Sequence, residues 1–298
     1  MEKQYLLHMI TPDKNLSAFD VNMAFDAGWT TMPYTGISLK NVTTIVQDAI
    51  YSRGSKGLKR TAIFIGGRDM HLAMAMFYAA KEAMVPPFEI SVFTDPGGAF
   101  TTAAVMVAAV AHQLKIKNDE ELKGQRILVL GGTGPVGTSA AVLAAKFGAK
   151  VTILGRAISI VNNVVDICNT RYSADVKGVK GNTYDHIDEL LQDADVIFAA
   201  AMVGIQVLNE NQLLSAPKLK VAADLNPVPP AGIAGINLYD NGTPINGSKS
   251  GAVGIGPLAI GDIKYHTQLE LLTEMYNSDK PVYFDFKDAF RVSMDKTS

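Results

Sequence analysis

Residues 126–137 read RILVLGGTGPVG, an apolar run that passes directly into a glycine-rich turn. Arg126–Leu130 consists of β-formers and is long enough for a buried strand. Gly132, Gly134 and Gly137 then match the spacing G-x-G-x-x-G at the start of a helix. The first glycine permits the tight turn, the second lets the backbone approach a pyrophosphate, and the third allows close helix–strand packing. The pattern predicts a dinucleotide-binding βαβ unit rather than a purely structural glycine turn, since the helix N-terminus also favours phosphate.

The residue that reads the adenosine ribose should follow the next strand, about 20 positions further on. The predicted strand Lys150–Leu154 leads into Gly155 and Arg156, with no Asp or Glu to bind a ribose 2′-hydroxyl. Arg156 offers a planar, permanently charged partner for a 2′-phosphate, which predicts that NADP is accepted. The alternative is a solvated arginine that stacks on adenine and leaves NAD equally usable. Because no second basic residue follows in Ala157–Ile160, the sequence predicts weak discrimination or use of both NADP and NAD.

Small residues follow two later predicted strands, at Ala199–Ala201 and at Asn226. Strand ends meet the nicotinamide crevice in this kind of fold, and small side chains there allow close approach of the cofactor. The candidate cofactor-binding residues are Gly132, Thr133, Gly134, Pro135, Val136, Gly137, Arg156, Ala200 and Asn226.

Short apolar runs alternate with amphipathic stretches in both halves of the chain, which is typical of βαβ units and parallel sheets. In the first half the predicted strands are Leu6–Ile10, Thr61–Ile65 and Ile90–Thr94, and the predicted helices are Val42–Ser52, Met70–Met84 and Thr101–Leu114. In the second half the predicted helices are Pro135–Phe147, Ile158–Arg171 and His186–Leu191, and the further strands are Val176–Val179, Val196–Ala200 and Lys220–Ala223. The charged stretch Lys115–Gly124 has the polarity of a surface connection between domains.

These elements predict a two-domain α/β protein, with a Rossmann-type doubly wound parallel sheet and an N-terminal α/β substrate domain. The expected domains are residues 1–115, completed by the C-terminal segment 265–298, and residues 124–264. The Gly- and Pro-rich segment Asn226–Gly261 is too long for a simple connection, which favours a functional loop. Predicted helices at Asp262–Met275 and within Pro281–Val292 close the chain.

Composition excludes several classes of protein. The charges, 27 Lys and Arg against 29 Asp and Glu in 298 residues, offer no footprint for nucleic acid or an anionic membrane. With 48% hydrophobic and 19% charged residues, the chain is neither disordered nor a coiled coil. Its single cysteine, Cys168, supplies no disulfide or metal cluster and is expected to be a small buried residue. Without a signal-like N-terminus or an apolar run of about 18 residues, a cytoplasmic location is expected.

No residue in this sequence stands out as a general acid or base. The histidines are scattered singly at His8, His71, His112, His186 and His266, and no zinc-binding spacing, nucleophile elbow or P-loop appears. An alcohol or hydroxy-acid dehydrogenase would need a positioned acid–base group to move a proton together with its hydride. The sequence shows no persuasive group of this kind.

Motifs spread over nearly the whole chain resemble the NAD(P)-dependent methylenetetrahydromethanopterin dehydrogenases of methylotrophic bacteria. They are SAFDVN from Ser17, AIFIGG from Ala62, FTTA from Phe100, GGTGPVG from Gly131, NPVPPAGIAG from Asn226 and VGIGPLAIGDIK from Val253. The proline-rich and Gly-Ile-Gly segments are more specific than the glycine turn, which many dehydrogenases share.

The resemblance implies a tetrahydromethanopterin carrier that holds a one-carbon unit as a methylene bridge between two nitrogens. Hydride passes from that carbon to C4 of the nicotinamide, in the oxidation of formaldehyde-derived carbon. The product is a methenyl cation whose charge is spread over N–C–N, so no proton leaves and the enzyme mainly positions two rings and excludes water. The resemblance also implies a homo-oligomer, either a trimer or a dimer of trimers.

Two charged residues correspond to the family's active-site motifs. Asp20 is expected to bind the pterin or to offset positive charge on the one-carbon unit, the alternative being a helix N-cap. Lys264 is expected to hold the pterin in register, the alternative being an exposed lysine at a helix start. The expected catalytic residues are Asp20 and Lys264, and the expected substrate-binding residues add Phe19, Phe100, Thr101 and Thr102 to these two. The site is expected between the two domains.

Three other functions stay open at this stage. A methylenetetrahydrofolate dehydrogenase would act on the same N–CH₂–N unit, and no residue decides between the two carriers. A shikimate-type dehydrogenase would share the two-domain plan but would use a Lys–Asp pair on a hydroxyl proton. A nucleotide-sensing protein would bind NAD(P) without catalysis.

Overall fold

Parallel strands alternate with helices along the part of the chain that the structure, a computed structural model, describes, residues 3–181 and 187–297. The strands are β1 Leu6–Ile10, β2 Thr30–Tyr34, β3 Thr61–Ile65, β4 Ser91–Thr94, β5 Arg126–Leu130, β6 Lys150–Gly155, β7 Val176–Lys180, β8 Val196–Ala199, β9 Val221–Asp224, β10 Asn241–Pro244, β11 Val253–Ile255 and β12 Tyr283–Phe284. The helices are α1 Ala18–Asp26, α2 Val42–Tyr51, α3 Gly54–Leu58, α4 Met70–Glu82, α5 Ala99–Asn118, α6 Pro135–Lys146, α7 Ile158–Arg171, α8 Ile187–Leu191, α9 Glu210–Leu214, α10 Pro257–Asn277 and α11 Phe286–Thr297.

The chain divides into two compact units, each with its own sheet. The first unit consists of Met1–Thr101 and Tyr265–Val292, and the second of Thr102–Lys264 and Ser293–Ser298. The divisions fall inside α5, α10 and α11, whereas the sequence analysis expected one in the stretch after residue 115. That stretch begins inside a helix, because α5 continues through Lys115 to Asn118.

The sheet of the first unit has the order β2-β1-β3-β4-β12, with every pair parallel. All residues of β3 and β4 are buried, as expected for central strands covered on both faces. The C-terminal segment supplies β12, which pairs with β4 through Tyr283 and Phe284. The strand order reverses between β1 and β3, and ligands bind beyond the carboxyl ends of the strands at such a point.

The sheet of the second unit has the order β7-β6-β5-β8-β9-β11-β10. The first six strands are parallel and follow the Rossmann order, and β10 joins the edge antiparallel to β11. The crevice of this sheet lies at its switch point, between β5 and β8, directly beyond the glycine turn. The two-domain α/β fold with a Rossmann-type sheet is therefore confirmed.

Several predicted elements agree with the structure residue for residue, namely β1, β3, β5 and α7. Strand β2 was not predicted, because its sequence TTMPY is short and contains a proline, which an exposed edge strand tolerates. The segment after Asn226 contains two short strands and the first turns of α10 rather than a continuous loop. His186, the predicted first residue of α8, lies outside the described residues.

Helix α5 combines length with a largely apolar sequence. Together with the turn before it, Pro96–Asn118 is long and apolar enough to cross a membrane by length and composition, although no apolar run of about 18 residues was expected from the sequence. Within its most apolar stretch, 72% of residues are buried inside the protein. A helix buried to this extent within the protein is typical of a core helix.

Candidate functional site

The glycine turn between β5 and α6 has the tight geometry that its spacing predicts. A Cβ atom on Gly132 would lie 2.7 Å from Cγ2 of Ile153, and one on Gly137 would lie 2.7 Å from Cα of Gly132. Both distances are too short for any side chain, because the neighbouring atoms belong to the sheet core and to the turn backbone. Gly134 differs, since a Cβ there would contact only the carbonyl oxygen of Gly131, at 3.6 Å. One side of the turn is therefore open at Gly134.

Helix α6 begins at this opening. Gly134 is its N-cap and provides no side-chain cap, Pro135 occupies the first turn, and Val136 follows partly exposed. The backbone N–H groups of a first helical turn need partners from outside the helix, and its dipole favours a negative charge. With no side chain in the way, the turn fits a pyrophosphate.

A cavity of about 330 Å³ adjoins the turn within the second unit. Its lining includes Thr133 and Gly134 from the turn, Gly155 and Arg156 from the end of β6, and Ala200 after β8. Arg156 is exposed at the start of the connection to α7. The structure thus brings together Thr133, Gly134, Arg156 and Ala200 around one cavity. The other predicted cofactor residues are not part of its lining, namely Gly132, Pro135, Val136, Gly137 and Asn226.

Asn226 is buried after β9, and its side chain organises the loop that follows. Its Oδ1 accepts a 2.9 Å hydrogen bond from N–H of Gly204, and its Nδ2 donates a 2.6 Å bond to the carbonyl of Pro230. Asp224, which the sequence analysis missed, accepts from the N–H groups of Asn226 and Ile233 at 2.9 and 3.0 Å. Burial raises the pKa of the Asp224 carboxyl, and the backbone hydrogen bonds oppose that rise. Asp224 could have been noticed in the sequence, because it is an aspartate at the carboxyl end of an apolar, buried strand.

Asp20 lies in the first unit at the third position of α1. Ser17, not Asp20, is the N-cap, since its side chain accepts from the N–H of Asp20 at 3.4 Å. The Asp20 side chain is only 2% exposed, and its Oδ1 accepts a 2.9 Å hydrogen bond from Nε2 of Gln268. Gln268 is fully buried in α10, and no sequence motif pointed to it. The N-cap alternative for Asp20 is therefore wrong.

Lys264 lies well inside α10, seven positions after its first residue Pro257, and is half-buried. The expected alternative, an exposed lysine at a helix start, is therefore wrong. Lys264 precedes Gln268 by four positions, so the two side chains leave the helix on the same face. The ammonium-bearing side chain of Lys264 therefore leaves α10 one turn before Gln268, the residue that donates to Asp20.

The segment that begins α5 divides into buried and accessible residues. Phe100 is fully buried, with its ring edge-on to that of Phe286 at a centroid distance of 5.3 Å. Thr101 is also fully buried, and its Oγ1 donates a 2.6 Å hydrogen bond to Oδ2 of Asp95, the residue that caps this helix. Its hydroxyl is therefore not available to a pterin ring. Thr102 is partly exposed, and Phe19 is 45% exposed on α1.

No group of three or more His, Cys, Asp or Glu side chains within residues 3–181 and 187–297 could hold a metal ion. Cys168 is buried in α7, and burial raises the pKa of its thiol to about 12. Such a thiol stays protonated and unreactive at neutral pH.

Two family models match this chain. Residues 18–97 match the N-terminal domain of methylene-tetrahydromethanopterin dehydrogenase, and residues 104–218 match the C-terminal domain of alanine dehydrogenase and PNT. The first match contains Asp20, and the second contains the glycine turn and Arg156.

A full-length comparison decides the family. Over 292 residues the chain is 44% identical to the NAD(P)-dependent methylenetetrahydromethanopterin dehydrogenase of Methylorubrum extorquens, covering 97% of this chain and 98% of that protein. The chain belongs to the NAD(P)-dependent methylenetetrahydromethanopterin dehydrogenase family. The resemblance seen in the sequence motifs is confirmed, and with it the prediction of an NAD(P)-dependent oxidoreductase.

Two further proteins are similar to this chain over nearly its whole length. The bifunctional protein MdtA of the same organism is 31% identical over 289 residues, covering 97% of each chain. Among solved structures, shikimate 5-dehydrogenase from Listeria monocytogenes covers 97% of this chain and 96% of its own at a TM-score of 0.53, with 14% identity. At that identity the likeness concerns the fold alone.

Proposed function

We propose that the chain oxidises methylenetetrahydromethanopterin to methenyltetrahydromethanopterin with NADP or NAD as the hydride acceptor. The observation that carries this proposal is the similarity over 97% of the chain to a relative of that name. The open glycine turn at the start of α6 supports it independently, because its shape suits a dinucleotide. When bound, NAD(P) supplies the nicotinamide carbon that takes up the hydride.

The proposed reaction requires no proton transfer by Asp20, Lys264 or any other residue. The methylene carbon is flanked by two nitrogens, and loss of a hydride leaves a cation that both nitrogens share. Methylene carrier and oxidised cofactor give methenyl carrier and reduced cofactor, so the equation balances without a proton. The protein's task is then to position the two rings and to keep water from the methenyl product.

The cofactor residues divide the binding task between backbone and side chain. Gly134 and the first turn of α6 hold the pyrophosphate, and Gly132 and Gly137 keep the turn close to the sheet. Arg156 faces the adenosine ribose, and Ala200 leaves room for the cofactor beyond β8. Asn226 acts on the cofactor indirectly, since its side-chain hydrogen bonds fix the loop after β9.

Asp20 places a negative charge close to the pterin. Because its carboxylate is buried, the interaction with the developing N–C–N cation is weakly screened by solvent. Of the two roles expected for Asp20, this favours compensation of the positive charge over a hydrogen bond to the pterin. Gln268 positions the carboxylate through its 2.9 Å hydrogen bond.

Lys264 holds the pterin through a polar ring atom. Phe19 and Thr102 are further accessible candidates for contact with substrate. Phe100 and Thr101 lie in the core instead. The ring of Phe100 packs on Phe286, and the hydroxyl of Thr101 donates a hydrogen bond to Asp95. Their role is therefore structural rather than direct contact with substrate.

Turnover of the purified chain tests the proposal. Mixed with methylenetetrahydromethanopterin and NADP or NAD, it should form reduced nicotinamide and methenyl product in equal amounts. Deuterium at the methylene carbon should slow single-turnover hydride transfer, whereas D₂O as solvent should leave it unchanged, because no proton moves. Absence of turnover with both nucleotides would sink the proposal, and methylenetetrahydrofolate and shikimate serve as comparison substrates.

The oligomeric state belongs to the same proposal. Large apolar side chains lie exposed on the single chain, among them Phe25 at 70% and Tyr239 at 77%. Exposed apolar area of this kind is often covered by another subunit. Light scattering coupled to size exclusion should give a mass above 31.9 kDa, a trimer or a dimer of trimers. The cytoplasmic location stays a prediction from the sequence.

A further inference from the structure

Strand β7 ends beside the residue that precedes Arg156. In the β6–β7 ladder Gly155 pairs with Lys180, and N–H of Gly181 donates a 3.1 Å hydrogen bond to the carbonyl of Gly155. Paired strands lie about 4.8 Å apart, so the backbone of Lys180 is one strand spacing from the end of β6. Lys180 is 24 positions after Arg156 in the sequence, so its proximity to the end of β6 becomes visible only through the strand pairing.

The side chain of Lys180 leaves β7 on the face that α7 covers. Lys180 and Gly178 share one face of the strand, because side chains alternate along it. A Cβ on Gly178 would lie 2.5 Å from Cγ1 of Val161 in α7, and a Cβ on Gly155 would lie 2.8 Å from Cγ2 of the same valine. Arg156 leads into the first turn of α7 at Ile158. Both cations therefore stand at the carboxyl end of the sheet, close to the start of α7.

Nothing in the described chain neutralises these two cations. Arg156 and Lys180 are exposed, and neither forms an ion pair with any residue of the ranges 3–181 and 187–297. Ala157, the N-cap of α7, provides no side-chain cap, so the positive end of the helix dipole adds to the same field. Neighbouring like charges repel one another unless an anion binds. A phosphate dianion is the ligand that this arrangement suits.

We propose that Lys180 and Arg156 together hold the 2′-phosphate of NADP, and that the chain therefore prefers NADP to NAD. The cavity of about 330 Å³ supports this assignment, since its lining includes Gly155, Arg156 and Gly181 as well as the glycine turn. A cofactor with its pyrophosphate at the turn has its adenosine ribose at the end of β6. The proposal rests on the proposed function only in placing NAD(P) in this cavity.

Adenosine fragments test the assignment without any pterin. Calorimetric titration of the full chain with 2′,5′-ADP and with 5′-AMP isolates the contribution of the 2′-phosphate. We expect Lys180→Gln to weaken 2′,5′-ADP binding about tenfold, as for loss of one charge-assisted contact at an exposed site, and to leave 5′-AMP unchanged. Lys177→Gln is the matched control, because Lys177 is an exposed lysine of the same strand on the opposite face and should leave both affinities unchanged.

A double-mutant cycle tests whether the two cations act on one phosphate. Arg156→Gln and Lys180→Gln should combine non-additively, because each acts on the phosphate that the other holds. The ratio of kcat/KM for NADP to that for NAD should fall in each variant, and added salt should weaken 2′,5′-ADP binding less in the double variant than in the unmodified chain.

Three results would overturn the assignment. An unchanged affinity of Lys180→Gln for 2′,5′-ADP would remove Lys180 from the site. An equal loss for 2′,5′-ADP and 5′-AMP would mean that the lysine acts on adenosine rather than on the 2′-phosphate. Failure of the unmodified chain to bind either fragment would also remove the cofactor from this cavity, whereas turnover with NAD alone would refute the NADP preference and leave the proposed reaction intact.

Discussion

Nε2 of Gln268 donates a 2.9 Å hydrogen bond to Oδ1 of Asp20, and both side chains are buried. An amide N–H can donate but cannot ionise, so the bond orients the Asp20 carboxyl group without adding a titratable group. This arrangement suits a reaction that produces a cation and moves no proton. With the role proposed for Asp20, Gln268 would be a positioning residue, since it would act on the substrate only through Asp20.

Replacing Gln268 by Glu should give the reaction a pH dependence that the unmodified chain lacks. Two carboxyl groups at hydrogen-bond distance share one proton near neutral pH, and the shared proton replaces the amide donor. As pH rises, the pair loses this proton, repulsion moves Asp20, and kcat/KM for the pterin should fall. The measurement is kcat/KM from pH 6 to 9, which should be nearly flat for the unmodified chain.

A control separates positioning from a general effect of charge. Gln192→Glu introduces the same group at an exposed position and should leave the profile flat. NAD(P) affinity and the midpoint of urea unfolding should be measured for Gln268→Glu at each pH. If the loss of activity followed unfolding rather than kcat/KM in the folded protein, the positioning role would be wrong.

Lys264→Ala should impair use of the pterin and spare the nucleotide. Loss of a charge-assisted hydrogen bond to the substrate should lower kcat/KM for the pterin about 10- to 100-fold. Fluorescence titration with NADP should give an unchanged dissociation constant. Lys146→Ala, at the exposed last position of α6, is the matched control and should change neither quantity. A collapse of NADP binding in Lys264→Ala would contradict the placement of this lysine.

Two glycine substitutions should separate cofactor binding from folding. In Gly134→Ala the new methyl group meets only the carbonyl of Gly131 at 3.6 Å, so thermal stability should be retained. The methyl group would occupy the opening proposed for the pyrophosphate, and NADP affinity should fall at least about tenfold. In Gly137→Ala the methyl group would lie 2.7 Å from Cα of Gly132, so both stability and affinity should fall. Equal NADP affinity of Gly134→Ala and the unmodified chain would move the pyrophosphate elsewhere.

Local patterns explain why much of this fold could be predicted from the sequence. The strand β5, the glycine turn and the start of α6 follow one another within 12 residues, so their geometry depends on neighbouring positions. The bond between Asp20 and Gln268 joins residues 248 positions apart, and no periodicity reports such a pairing. The pairing of Gly155 with Lys180 likewise depends on strand order. Contacts between residues far apart in the sequence could therefore not be predicted from local patterns.

Thr101 was expected to bind substrate, and its full burial could not be read from the sequence for a related reason. Thr101 and Thr102 are identical residue types side by side, and only their positions on α5 distinguish them. Thr101 faces inward to Asp95, which caps the helix, whereas Thr102 is partly exposed. Which of two adjacent threonines is buried depends on the elements that pack against the helix and not on the two residues themselves.

His8 should make the stability of the protein depend on pH below neutrality. Its Nδ1 lies 3.1 Å from the hydroxyl of Tyr34, and burial, with a smaller contribution from the charge of Arg53, lowers the pKa of the His8 imidazole. The unfolded chain then binds a proton at a higher pH than the folded chain does, so the free energy of unfolding falls as pH drops below about 6.5. In His8→Gln this contribution is absent, and the urea midpoint should fall less between pH 7.5 and 5. Tyr34→Phe, which keeps burial but removes the hydroxyl, should retain the dependence of the unmodified chain. Identical pH profiles for His8→Gln and the unmodified chain would show that His8 does not contribute.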